Sequence, residues 1–153
     1  MAAPNLINIE KHSWKRDDGY ELSTDRHRID FNLIYRCLTE DSYWFSDLTE
    51  AQLQQALDAS LVIGVYGPDH SMAGFARVVT DCAIFAYLRD VFILPDHRSK
   101  GLASWLSLQI RAHPQLKDVT TWMLRTQDAH NVYRKAGYEI TKEPDWLMIY
   151  KKL

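Results

Sequence analysis

Residues 89–113, RDVFILPDHRSKGLASWLSLQIRAH, constrain the fold more than any other part of the chain. They predict a strand, a tight basic loop and a helix in direct succession. The strand over 90–94 carries Val91, Phe92 and Ile93, an apolar, β-prone run. Pro95 ends it, because proline has no N–H to give to a sheet ladder. The loop over 96–100 carries His97, Arg98 and Lys100. Gly101 then opens a helix that runs through Trp105, Leu106 and Ile110 to about Ala112, and Pro114 closes it. The first N–H groups of such a helix lack partners within it, and its dipole places partial positive charge there. A phosphate fits that end, and a glycine lets backbone approach it closely. An ordinary strand–turn–helix with a solvated basic turn would carry the same signals, so one glycine loop does not decide the matter.

The order of residues adds more. Arg98-Ser99-Lys100-Gly101-Leu102-Ala103 fits Arg/Gln-x-x-Gly-x-Gly/Ala. Together with the preceding Val-Phe-Ile-Leu-Pro-Asp-His it resembles the acetyl-CoA-binding motif of the GNAT family of N-acetyltransferases. The nucleotide-binding alternatives are absent: the chain contains neither G-x-x-x-x-G-K-[ST] nor G-x-G-x-x-G.

Length and composition set the frame. The 153 residues suit one domain, with residues 1–19 as its least informative part. Apolar residues make up 46% and charged residues 25%, the balance of a globular protein. A formal charge of −2 gives no field that favours nucleic acid. Cys37 and Cys82 are far apart, and the six histidines form no metal-ligand spacing, so no metal and a reduced, cytoplasmic setting are expected. The start lacks a basic segment followed by an apolar one, and no apolar run approaches the ~20 residues of a membrane span.

Along the chain, Leu6 to Ile9 could form a short strand, and a strand is expected over 20–23. A helix over 30–38 begins at Asp30 as cap, with Phe31, Ile34, Tyr35 and Leu38 at helical spacing. A second helix is expected from a cap at Ser46 to about Ala59. Residues 61–66, 72–80 and 83–94 predict an antiparallel meander of three strands. A strand over 119–124 must run parallel to the central one, after a right-handed crossover through the helix. Asp128 is expected to cap a helix over 129–136 with Gly137 just past its end, and closing strands are expected over 138–141 and 146–150. The fold class is α/β (α+β): a mixed central sheet flanked by helices. The same order of elements matches the GNAT fold, whose splayed strands form the CoA cleft.

A second stretch resembles the same family. Val132-Tyr133-Arg134-Lys135-Ala136-Gly137-Tyr138 is similar to its Leu-Tyr-x-x-x-Gly-Phe motif. The resemblance implies that Tyr133 protonates the departing CoA thiolate. Tyrosine suits this role, because its ordinary pKa of about 10 lies near that of an alkyl thiol. It further implies direct acyl transfer from acetyl-CoA to an amine, with a backbone N–H at a bulge near Phe92 and Ile93 holding the developing oxyanion. Backbone groups of Val91 and Ile93 would bind pantetheine, and Ser99, Lys100, Gly101, Leu102, Ala103 and Ser104 would cradle the pyrophosphate beside Arg98. Thr126 stands where many members carry an asparagine that bonds pantetheine. Asp90, beside the reaction centre, is either the general base or a carboxylate paired with Arg89 or another cation. His97 is read as part of the loop rim. Tyr43 and Trp44, between the first two helices, are expected to line the acceptor pocket, with Phe45 buried.

The implied partner is a small-molecule or peptide amine, with neither nucleic acid nor membrane; dimers are common among relatives, so a homodimer is an open expectation. Two other readings stand beside the enzyme: a CoA-binding or sensing module without turnover, and an interaction domain whose basic loop takes a phosphorylated partner.

Overall fold

The computed structural model describes residues 8–40 and 47–152. A six-stranded sheet runs through it in the order β1-β2-β3-β4-β5-β6, which is also chain order. The strands are β1 (Ser13–Lys15), β2 (Glu21–Ser23), β3 (Leu61–Tyr66), β4 (Met72–Thr80), β5 (Phe85–Ile93) and β6 (Thr121–Met123). Neighbours are antiparallel except β5 and β6, which are parallel. The helices are α1 (Phe31–Thr39), α2 (Glu50–Asp58), α3 (Leu102–Gln109) and α4 (His130–Lys135). The sheet is therefore mixed and flanked by helices, as the sequence predicts.

Alternation along β3 explains the layers. Leu61, Ile63 and Val65 face one side of the sheet and pack with Leu102, Leu106 and Ile110, which belong to α3 and the turn that follows it. Val62 and Tyr66 face the other side and pack with Ile34 and Leu38 of α1 and Leu53 and Leu57 of α2. Period two in the strand and three-to-four in the helices thus build two cores on opposite faces of one sheet. Each of these side chains contributes roughly 1.5–3 kcal/mol on burial.

Several expectations shift. Asp30 caps α1 by accepting from Leu33 N, as predicted. The cap of α2 is Thr49 rather than Ser46, because Thr49 and Gln52 form a reciprocal capping box. α4 begins at His130 without a side-chain cap, so Asp128 does not fill that role; Thr126 Oγ1 instead accepts from Ala129 N at 2.9 Å. Strand β1 was not read from sequence: its three residues are too few for a period to register. Of the strand suggested at 6–9, Leu6 and Ile7 lie outside the described residues, and Asn8 and Ile9 join no strand. Most consequential, the two closing strands are absent. Residues after Tyr138 form no ladder, and a 3-10 turn, Pro144–Trp146, occupies part of the segment.

Candidate active site

The site begins where β5 breaks its own regularity. Arg77 pairs with Arg89 and Phe75 with Phe92, so Asp90 and Val91 together face Ala76 alone. This is a β-bulge, and Asp90 takes φ 57° to make it. Left-handed backbone at a residue other than glycine is uncommon, and aspartate is among those that tolerate it. The Asp90 carboxylate turns inward: Arg77 Nε donates to its Oδ2 at 2.7 Å, and Arg89 Nε lies 3.4 Å from Oδ1. Arg77 Nη1 also donates to Ser60 Oγ at 3.0 Å. Of the two readings of Asp90, the geometry matches the ion-paired one. Arg77 was missed in the sequence, although a lone arginine in the apolar run of β4 was the available signal.

Beyond the bulge, β5 and β6 part. Their pairing covers only Phe85–Tyr87 against Thr121–Met123, and from Leu88 onward that edge of β5 carries no ladder. Leu94 N bonds back to Ala73 O on β4 at 2.8 Å. Alternation along the strand therefore turns the N–H and C=O of Ile93 toward the open edge. Arg98 Nε donates to that carbonyl at 2.9 Å, tying the loop to the strand and leaving the Ile93 N–H as the open group. The side chains of Val91 and Ile93 pack on the α3 face, whereas Phe92 packs at 5.9 Å from Phe75 on the α1–α2 face. Backbone of Val91 and Ile93 therefore lines this edge, whereas the N–H and C=O of Phe92 face β4.

The loop continues with Ser99 at φ 62° and Gly101 at φ 70°. The first bond into α3 runs from Trp105 N to Gly101 O at 3.0 Å, so the N–H groups of Leu102, Ala103 and Ser104 have no partner among the described residues. A Cβ built on Gly101 would meet nothing within 4 Å. Open space in front of three unpaired N–H groups, with exposed Arg98 and Lys100 at its rim, fits a pyrophosphate. The side chains of this first turn have structural partners. Leu102 is core, and Ser104 Oγ donates to Val132 O at 2.9 Å, fastening α3 to α4. His97 accepts or donates at Nδ1 to Tyr20 Oη, 2.7 Å away, which agrees with its reading as part of the rim. Arg16, not anticipated, lies 5.1 Å over the ring of Trp105 in α3.

That fastening sets Tyr133 beside the cleft. Its ring packs against the same core as Val91, Ile93 and Leu124, and meets Tyr138 edge-on at 6.1 Å. Burial pushes its hydroxyl pKa up to about 12, so the group holds its proton across the neutral range. Its hydroxyl has no hydrogen-bond partner among the described residues. Thr126 Oγ1 is committed as an acceptor to Ala129 N, which leaves its own hydrogen as the one it can offer a ligand. Tyr43, Trp44 and Phe45 lie outside the described residues.

A bulged central strand, a parted strand edge and a helix N-terminus with an open glycine follow one another along this part of the chain. Residues 60–140 match the family model described as an acetyltransferase (GNAT) domain. The chain is 32% identical to a "putative acetyltransferase" of Gibberella zeae, over 85% of this chain and 84% of that protein. It is 36% identical to a crystal structure from Xanthomonas campestris pv. campestris described as a "putative acetyltransferase belonging to the gnat family", covering 95% of this chain and 96% of that one at a TM-score of 0.79. A GNAT-family acetyltransferase from Streptococcus pneumoniae, 23% identical with 82% and 93% covered and a TM-score of 0.61, shares the fold. The chain belongs to the GNAT acetyltransferase family, whose members in general draw on acetyl-CoA.

Proposed function

We propose that this protein transfers the acetyl group of acetyl-CoA to a primary amine on a small molecule or peptide. The observation that carries the reading is the junction of the Gly101 cradle with the open edge of β5. Both carry unpaired backbone N–H groups, and the Tyr133 ring packs on the same core as Val91 and Ile93. Acetyl-CoA supplies an activated acetyl thioester. The N–H groups of Leu102, Ala103 and Ser104 hold its pyrophosphate, and the β5 edge at Val91 and Ile93 aligns its pantetheine arm. Backbone at the Asp90 bulge donates to the thioester oxygen as negative charge develops there. The amine nitrogen forms the new C–N bond and gives up a proton; Tyr133 hands a proton to sulfur as the C–S bond breaks. Asp90 serves this arrangement by holding the bulge through Arg77. Its carboxylate is engaged on both oxygens, so the amine loses its proton to water.

The acceptor enters from the side of the α1–α2 connection, opposite the phosphate cradle. Tyr43 and Trp44 belong to that connection, so Trp44→Ala is expected to raise KM for the amine while leaving KM for acetyl-CoA unchanged. The test of the whole reading is release of free thiol from acetyl-CoA with a panel of amines. Thiol release that depends on the amine supports it; tight CoA binding without release under any amine would favour the sensing module.

A further inference from the structure

The turn that joins β1 to β2, residues 16–20, lies against the Gly101 loop and α3 at two points. Its own bonds close it: Arg16 N donates to Tyr20 O at 2.9 Å and Gly19 N to Arg16 O at 3.0 Å. Gly19 takes φ 92° there, as such a turn requires. At one end, Tyr20 is buried in the core shared with α3, and its Oη lies 2.7 Å from His97 Nδ1. The two rings meet edge to face at 87°. At the other end, the Arg16 guanidinium lies 5.1 Å over the ring of Trp105. It also lies 5.5 Å from the ring of Tyr20, so the two contacts are joined. Arg16 Nε and Nη2 donate to the two oxygens of Asp18 at 2.9 and 2.5 Å, which fixes the plane of the guanidinium.

His97 and Trp105 flank the phosphate cradle, with residues 98–104 between them. That span needs outside support. Ser99 and Gly101 both hold left-handed backbone, which a serine adopts only where its surroundings impose it. Among the described residues, neither Ser99 nor Lys100 makes a hydrogen bond. The bond from Arg98 Nε to Ile93 O ties the loop back to β5, the strand it has just left. The contacts of Tyr20 and Arg16 come from the far side of the chain and hold the span at its two ends.

We infer that the β1–β2 turn is a brace for the CoA site, in which Tyr20 and Arg16 are positioning residues for the cradle. A loop shaped before the ligand arrives spares the ligand the entropy of ordering it. Loosening either contact lowers the fraction of molecules whose cradle is formed, and the apparent Kd for CoA rises by that fraction. Linkage is reciprocal, so bound CoA holds the turn as firmly as the turn holds the cradle. The brace rests on the reading that the cradle takes the pyrophosphate.

The experiment uses the full chain, with calorimetric titration of CoA beside thermal unfolding. Tyr20→Phe deletes one hydroxyl, His97→Ala deletes its partner, and Arg16→Met keeps the stem without the fork. If each leaves the cradle formed in about a tenth of the molecules, each raises the Kd about tenfold. His97→Asn, whose amide reaches near the place of Nδ1, should restore the parent affinity. Tyr20→Phe combined with His97→Ala should bind no more weakly than either alone, because both remove the same bond. Hydrogen exchange of the Gly19 amide should slow when CoA binds, and slow less in Arg16→Met. Should Tyr20→Phe fail to fold, His97→Ala at the half-exposed rim carries the test. A lowered melting temperature with parent-like CoA affinity would make these contacts packing alone and overturn the brace. So would a Gly19 amide indifferent to CoA, or an Asn variant as weak as the Ala one. Gly101→Glu separates the two readings. If it abolishes binding while the brace variants bind like the parent, the cradle stands and the brace falls. If it binds CoA normally, both fall.

Discussion

Arg77 Nε donates to Asp90 Oδ2 at 2.7 Å, and both residues are more than nine-tenths buried. The pair joins β4 to β5 at the one position where β5 carries an extra residue. It thereby offsets the cost of holding Asp90 at φ 57°. The bulge from which the open edge of β5 begins is thus braced by a buried ion pair.

Removing one member should be severe. Asp90→Ala leaves a buried guanidinium without its carboxylate and is expected to cost about 3–5 kcal/mol. Asp90→Asn keeps the tolerance for left-handed backbone and should cost less. If Asp90 shapes the bulge, the Asn variant loses kcat while the pH–rate profile keeps its acid limb in place. A displaced acid limb would restore Asp90 as the base. Thermal unfolding and a pH–rate profile on the same two variants decide.

Gly101→Glu should fold, because a side chain there meets open space; the φ of 70° adds about 1–2 kcal/mol of strain. CoA affinity should collapse, since the new carboxylate fills the cradle and repels phosphate. Calorimetric titration with CoA measures it, with Gly101→Ala as the control for strain without charge. Unchanged affinity in a folded Glu variant would move the pyrophosphate elsewhere.

Tyr133→Phe keeps the ring and its packing but deletes the proton. kcat and kcat/KM should fall together by roughly 10²-fold, with CoA binding nearly unaltered. A folded-state pKa of about 12 also means that Tyr133 contributes no falling limb to the rate through mildly alkaline pH. Parent-like turnover in the Phe variant would reduce Tyr133 to a packing residue.

His113 should give the fold a pH dependence. It is fully buried, Nε2 lies 3.0 Å from Glu10 O, and Nδ1 accepts from Gln115 N at 3.1 Å. This requires the neutral ring protonated on Nε2, and burial lowers its pKa below the ordinary value. The unfolded chain then binds a proton that the native one refuses. The stabilisation is complete above about pH 6.5 and is lost as pH falls below it. His113→Gln should flatten the difference in melting temperature between neutral and mildly acidic buffer; an unchanged difference would assign it to other groups.

Local chemistry made much of this protein legible. β3 and β4 fall where alternation and the Gly67-Pro68-Asp69 turn predict them, because strand period and turn residues act over a few neighbours. The Gly101 loop and the α3 helix were equally readable, since a proline, a glycine and an apolar arc are local signals. The tertiary structure decided what depends on distant partners. It joined Asp90 to Arg77 from the neighbouring strand, and fastened the Ser104 hydroxyl to Val132 of α4. It also left the run from Trp146 to Tyr150 without a ladder, although its composition and period are those of a strand. A residue's preference for a conformation is carried by its own atoms and near neighbours. Whether a strand finds an edge to pair with, or a carboxylate finds a cation, depends on what folding brings beside it.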